Sequence, residues 1–262
     1  MTLTTPQRDT PSPSATPAES IFSRILIGVD GTKEGFDACR QASRLADPGA
    51  TLEAATVVQL APGPVDKLEQ RGTETLAAAS SILGPKAETR RLYGFVVEML
   101  LAEATRVDAT LLAIGTHEHP RLEEVIFGGV AGELLHQATC SVLIARPVPD
   151  AVNFPRQIVV GLDGSAESER AYEVAIQLAL HRHSVVRGLV ALGGKRVDSG
   201  PIFHRHSRAT PSPSAPVRTL VEASACADLL IVGSRGLHGP RALGSVSERV
   251  AHQAACSVLV VR

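Results

Sequence analysis

Apolar residues along this chain fall in short unbroken runs, separated by stretches where they recur every three or four positions. Runs such as RILIGV (24–29), LLAIG (111–115) and SVLIA (141–145) are short, aliphatic and without alternation. That is the pattern of strands buried on both faces of a parallel sheet. Strands are expected near 24–30, 51–58, 87–92, 110–115 and 141–146, with helices between them. The helix after the first strand carries Phe36, Cys39, Ala42 and Ala46, and the third carries Val97, Leu100, Leu101 and Ala104. At spacings of three and four these residues make core-facing stripes. The alternation of strand and helix predicts a doubly wound α/β unit with a parallel sheet.

The pattern then repeats. RILIGVDGT (24–32) returns as QIVVGLDGS (157–165), and HQATCSVLIAR (136–146) returns as HQAACSVLVVR (252–262). Two tandem domains are expected, over 21–148 and 149–262, behind a Thr-, Pro- and Ser-rich tail over 1–20 whose composition predicts disorder. The second copy is shorter. Asp30 to Gly115 spans 85 positions and Asp163 to Gly233 spans 70, a deficit of 15 that falls where copy one has DKLEQRGTETLAAASSIL. The second domain is therefore expected to lack one helix and to leave part of its sheet face uncovered. The apolar last strands SVLIAR and SVLVVR are expected to join the copies as an intramolecular pseudo-dimer, since either would otherwise be an exposed edge.

Charge and composition narrow the function. The net charge is -1 and the pI about 6.8, which is not the basic field that nucleic-acid binding needs. The first 20 residues have no apolar core for a signal peptide and no run approaches the length of a membrane helix, so a cytoplasmic protein is expected. The four cysteines form no CxxC pair and each sits in an apolar stretch, as small core residues do.

Candidate chemistry gathers at the end of the fourth strand of copy two, DLLIVGSRGLHGPRALGSVSERV. Gly233, Gly236 and Gly239 precede Gly244, Ser245 and Ser247 at a helix start. Glycines let backbone amides approach an anion, and a helix start offers unpaired N–H groups and a partial positive charge. A tight turn with Ser245 as helix cap would leave the same sequence. No Walker loop and no GxGxxG dinucleotide motif is present. Asp163, at the end of the first strand, stands where ligands of open parallel sheets bind, and could equally serve to cap the following helix.

The combination of GVDGT or GLDGS after a first strand, GSRG after a fourth, then GSVS and a terminal CSVLVVR resembles the universal stress protein family (UspA-like), over about residues 24–262. The resemblance implies a Rossmann-like fold, ATP or another adenine nucleotide as ligand, and a stress-response or regulatory role without catalysis. It assigns Asp163 to the ribose or adenine edge and Val190 and Val232 to the adenine pocket. Gly233, Arg235, Gly236, Gly244, Ser245, Val246 and Ser247 would hold phosphates and ribose. The family's loop places nine residues between its second and third glycines, where this chain has seven, Leu237 to Leu243.

Copy one keeps the nine-residue spacing and loses the chemistry. Glu118 replaces the second glycine, His117 the arginine, Gly129 a hydroxyl residue and Ala131 the second serine, leaving Asp30, Gly115 and Gly128. Copy one is expected not to hold ATP. No metal site is expected: the His pairs at 181 and 183 and at 204 and 206 have no Cys, Asp or Glu at ligand spacing. A nucleophile elbow and a glycine-loop lysine are both missing. Two alternatives accompany the nucleotide-binding reading: a nucleotide-free scaffold with both sites degenerate, and a slow nucleotide hydrolase in which His238 is the nearest base.

Overall fold

The computed structural model describes residues 20–59, 65–116, 129–191, 210–212, 216–234 and 243–262. The first half runs β1 (Arg24–Gly28), α1 (Lys33–Leu45), β2 (Thr51–Val58), α2 (Val65–Leu83), β3 (Glu88–Tyr93), α3 (Val96–Arg106), β4 (Leu111–Gly115), α4 (Gly129–Gln137) and β5 (Ser141–Ala145). The second half runs β6 (Gln157–Leu162), α5 (Ala166–Arg182), β7 (Val185–Ala191), β8 (Thr210–Ser212), α6 (Pro216–Ser224), β9 (Leu229–Gly233), α7 (Ser245–Gln253) and β10 (Ser257–Val261). The expected tail up to residue 19 lies outside the described residues. So does 192–209, on which the expectation of a missing helix falls; no helix stands between β7 and β8 among the described residues.

The same local chemistry starts the first helix of each half. Thr32 caps α1 by accepting from the Gly35 amide at 3.1 Å, and Ser165 caps α5 by accepting from the Ser168 amide at 3.2 Å. Two residues earlier, Asp30 and Asp163 each accept from the cap residue's amide at 3.0 Å and its hydroxyl at 2.6 Å. The helix cap in copy two is thus Ser165, and Asp163 braces it from the preceding turn.

Ten strands form one sheet in the order β3-β2-β1-β4-β5-β10-β9-β6-β7-β8. Each half contributes the same five-strand parallel arrangement, and the single antiparallel junction joins β5 to β10. There Leu143 pairs with Leu259, its own counterpart in the repeat. A residue facing its equivalent marks a two-fold relation, so the halves meet through their last strands as a dimer within one chain. Every residue of both strands is buried.

Strand alternation sends side chains to two core layers, and each layer runs through both halves. One, under α1, α2 and α5, contains Ile25, Leu143, Leu178 and Leu259; the other, under α3, α4, α6 and α7, contains Leu100, Val142, Leu220 and Val258. The stripes expected on α1 and α3 face these layers. Cys39, Ala42, Leu100 and Ala104 are buried, with Phe36, Ala46, Val97 and Leu101 packed beside them. All four cysteines are free. Burial pushes the Cys39 and Cys256 thiols up to about 12, and Cys140 upward too. Cys226 departs from the core reading: it lies exposed in the turn after α6, because the chain leaves the helix there before re-entering the sheet.

Arginines lock the junction. Arg146, only 5% exposed, donates to the Ala251 carbonyl in the last turn of α7 at 2.6 Å and to the Cys256 carbonyl just before β10 at 3.1 Å. Arg262 returns the contact, donating to the Leu135 carbonyl near the end of α4. Each half therefore caps the last helix of the other with a cation, where the helix dipole favours positive charge.

A cluster of two buried carboxylates and two half-exposed arginines sits apart from the junction. Arg106 bridges Glu53 and Glu103, each at 2.7 Å, and Arg90 holds Glu103 at 2.9 Å. Burial, together with the adjacent Glu103, pushes Glu53 up to about 7. Burial acts upward on Glu103 as well, but its hydrogen bonds to Arg106 and Glu53 and the charges of Arg106 and Arg90 hold it below its ordinary value. A raised carboxyl pKa in the folded state gives stability that is complete below the unfolded value of 4.5 and is lost as pH rises through about 7. Glu53→Gln should therefore lose stability less steeply than wild type between those pH values in urea titrations. Parallel pH profiles for the two proteins would contradict this.

Candidate functional site

At the carboxyl edge of the second half's strands the sheet opens into a cavity of about 660 Å³, including its mouth. That edge is where open parallel sheets bind ligands. Three kinds of surface line it. Leu189, Leu220, Val232 and Val246 form an apolar wall; Asp163, Ser165 and Glu167 place acceptors on one side; Gly233, Gly244 and Ser247 bring the start of α7 to the other.

The start of α7 has no side-chain cap. Its cap residue is Gly244, which has no side chain to satisfy the first amides. Amides left open at a helix start, with the dipole behind them, favour negative charge. Ser247 is buried and donates to the Gly233 carbonyl at 2.8 Å. This bond ties the first turn of α7 to the end of β9, so both sides of the loop between them are fixed. Copy one has Ala131 at this position, which has no hydroxyl to give.

Of the residues expected from sequence, the cavity brings together Asp163, Val232, Gly233, Gly244, Val246 and Ser247. Ser245 opens α7 but is exposed and outside the lining. Val190 packs toward the α5-side core, and its neighbour Leu189 lines the cavity in its place, since successive strand residues face opposite ways. Arg235, Gly236, Gly239 and His238 lie outside the described residues, as do His117, Glu118 and Gly128 of copy one. Sequence reading missed Gly161, Leu162, Ser165, Glu167, Ser168, Leu189, Pro216 and Leu220. Leu220 had a signal in the repeat: Gly161 sits against Leu220 as Gly28 sits against Leu100.

The structure gives Gly233 a packing role of its own. A Cβ there would stand 2.5 Å from the carbonyl carbon of Glu167, and one at Gly115 would stand 2.3 Å from that of Glu34. In both halves the first helix starts against the end of the fourth strand, closer than any side chain allows. Gly233→Ala and Gly115→Ala should each cost about 2–3 kcal/mol in denaturant unfolding. Gly161→Ala should cost less, because the nearest atom there is the flexible end of Leu220 at 3.0 Å. Equal stability of all three variants would refute this account.

The histidines at 181 and 183 stand at the end of α5, where His183 is the helix's left-handed C-cap. The pair at 204 and 206 lies outside the described residues. Among the described residues no group of three or more His, Cys, Asp or Glu could hold a metal ion, and no helix is long and apolar enough to cross a membrane.

The universal stress protein family model matches residues 22–146 and 195–262, together more than half of the chain. A universal stress protein of Mycobacterium tuberculosis H37Rv is 26% identical over 285 aligned positions, covering 91% of this chain and 96% of that one. A relative from Mycolicibacterium smegmatis is 28% identical with the same coverage. Among solved structures, a universal stress protein from Archaeoglobus fulgidus superimposes with a TM-score of 0.73 at 16% identity, covering 93% of this chain and 97% of that one. These relatives match the full two-half architecture.

Proposed function

Because the chain belongs to the universal stress protein family, we propose that its second half binds an adenine nucleotide as the ligand of a non-catalytic, cytoplasmic stress-response protein. The observation that carries this reading is the cavity with an acceptor side, an apolar wall and an uncapped helix start. An adenine base fits against Leu189, Leu220 and Val232. Asp163 and Glu167 can accept from ribose hydroxyls, and the amides of α7 can donate to phosphate oxygens.

One observation favours a nucleotide-free scaffold as a second reading. Gly233 is required by its contact with Glu167, so that glycine does not need a ligand to explain it. Mass spectrometry of small molecules released on denaturing freshly purified protein, joined to thermal melts with added ATP, separates the two. Released adenine nucleotide, or a melt raised by ATP, supports the binding site. Neither result would leave the scaffold.

A further inference from the structure

At the amino ends of β1, β2 and β3 the first half has a cavity of its own, about 540 Å³ including its mouth. Thr51 and Glu53 stand two apart on β2 and so share a face, and Glu88 is the register partner of Glu53 on β3. Two carboxyl groups thus line the cavity side by side, with the Thr51 hydroxyl next to them. The arginines that also line it are engaged with other groups. Arg24 holds Asp108 at 2.7 Å, and Arg106 holds Glu103 and the Oε2 atom of Glu53, each at 2.7 Å.

What the lining groups lack is a donor. Glu53 is 6% exposed, and its Oε1 is buried with no hydrogen-bond partner among the described residues. No described residue pairs with the Glu88 carboxylate. Thr51 Oγ1 donates to the Ser23 carbonyl at 3.4 Å and keeps its lone pairs. At low pH a proton meets the need of Glu53, since burial, together with the hydrogen bond and charge of Glu103, pushes it up to about 7. Above that pH a buried carboxylate oxygen is left without a donor, which is costly. The second half shows that the fold does not require these acids: the matching positions there are Arg187 for Glu53 and Ala223 for Glu103.

We propose that this cavity is a separate ligand site, in which Glu53 Oε1, the Glu88 carboxylate and the Thr51 hydroxyl receive the primary ammonium group of a small alkylamine. An ammonium is a compact cation with three donors, which matches acceptors on three residues better than a planar guanidinium does. Val107 adds an apolar contact for the alkyl stem. The ammonium takes the place of the proton, so its binding releases a proton from Glu53 and strengthens as pH rises through about 7. The charged groups that face Glu53 are Glu103 and Arg106 from α3, Glu88 and Arg90 from β3, and Arg24 from β1. Arg106 stays on Oε2, and the ligand takes the other oxygen.

The test is NMR titration of the full chain with butylammonium chloride, against sodium chloride at equal ionic strength, at about pH 8 and about pH 6. Wild type should show saturable shifts of the Thr51, Glu53 and Glu88 amides, with an affinity about tenfold higher at the upper pH. Glu53→Gln should bind at least about tenfold more weakly at the upper pH and lose the pH dependence. Glu88 is exposed, so Glu88→Gln keeps the fold; it should weaken binding about threefold with the pH dependence retained. That variant tests the site even if Glu53→Gln folds poorly. No saturable shift, shifts that sodium chloride reproduces, equal affinity at both pH values, or Glu88→Gln binding as tightly as wild type would overturn the site. None of these outcomes bears on the nucleotide cavity, which lies in the other half.

Discussion

Gly236→Glu is expected to lower affinity for ATP about a thousandfold. Gly236 follows Gly233, which lines the cavity, by three residues, and copy one carries Glu118 at the corresponding place. A carboxylate about 4 Å from a phosphate, at an effective dielectric near 20, costs on the order of 4 kcal/mol, or about three decades in affinity. Gly236→Ala adds bulk without charge and should weaken binding by about tenfold. The order of the two variants separates repulsion from crowding. Equal binding by both variants and wild type, measured by calorimetry, would move the nucleotide away from this loop.

Arg146→Met is expected to destabilise the whole chain by about 3–5 kcal/mol, comparable to breaking a buried ion pair. Methionine keeps much of the aliphatic stem. The Arg146 backbone would still donate to Ser257 Oγ at 2.9 Å and accept from Gln41 Nε2 at 2.6 Å. What disappears is the guanidinium that satisfies the Ala251 and Cys256 carbonyls in a junction closed to water. Both core layers cross that junction, so the loss should appear as one transition shifted by roughly 10 °C, and not as early melting of one half. Arg262→Met should cost less, since Arg262 is more exposed than Arg146 and, among the described residues, its guanidinium reaches one carbonyl of the facing helix, that of Leu135. A change under about 1 kcal/mol for Arg146→Met would contradict the clasp.

Strands β1, β4 and β5 of the first half were readable within a residue or two because their faces are buried and nearly every position is apolar; β3 (ETRRLY) is an exposed edge strand to which that reason does not apply. The junction was readable for a related reason: SVLIA and SVLVV have no polar face to give to solvent. The arginines that follow them stand at matching places in HQATCSVLIAR and HQAACSVLVVR, yet nothing local says that a terminal arginine reaches the helix of the other half. Val190 stands one position from Leu189, which lines the cavity, because an apolar pair at a strand end does not reveal which residue faces that edge. The pairing of Leu189 with Gly161 decides it, and that register is a tertiary fact. Gly233 looked like phosphate chemistry, whereas the backbone of Glu167 passing against it can be seen only once the helix is packed on the sheet.

Calorimetric titration of the full chain with ATP decides whether the second half alone binds a nucleotide. One ATP per chain is expected, with binding lost in the Gly236→Glu variant; no binding at all, two ATP per chain, or one that survives the substitution would refute the proposed site.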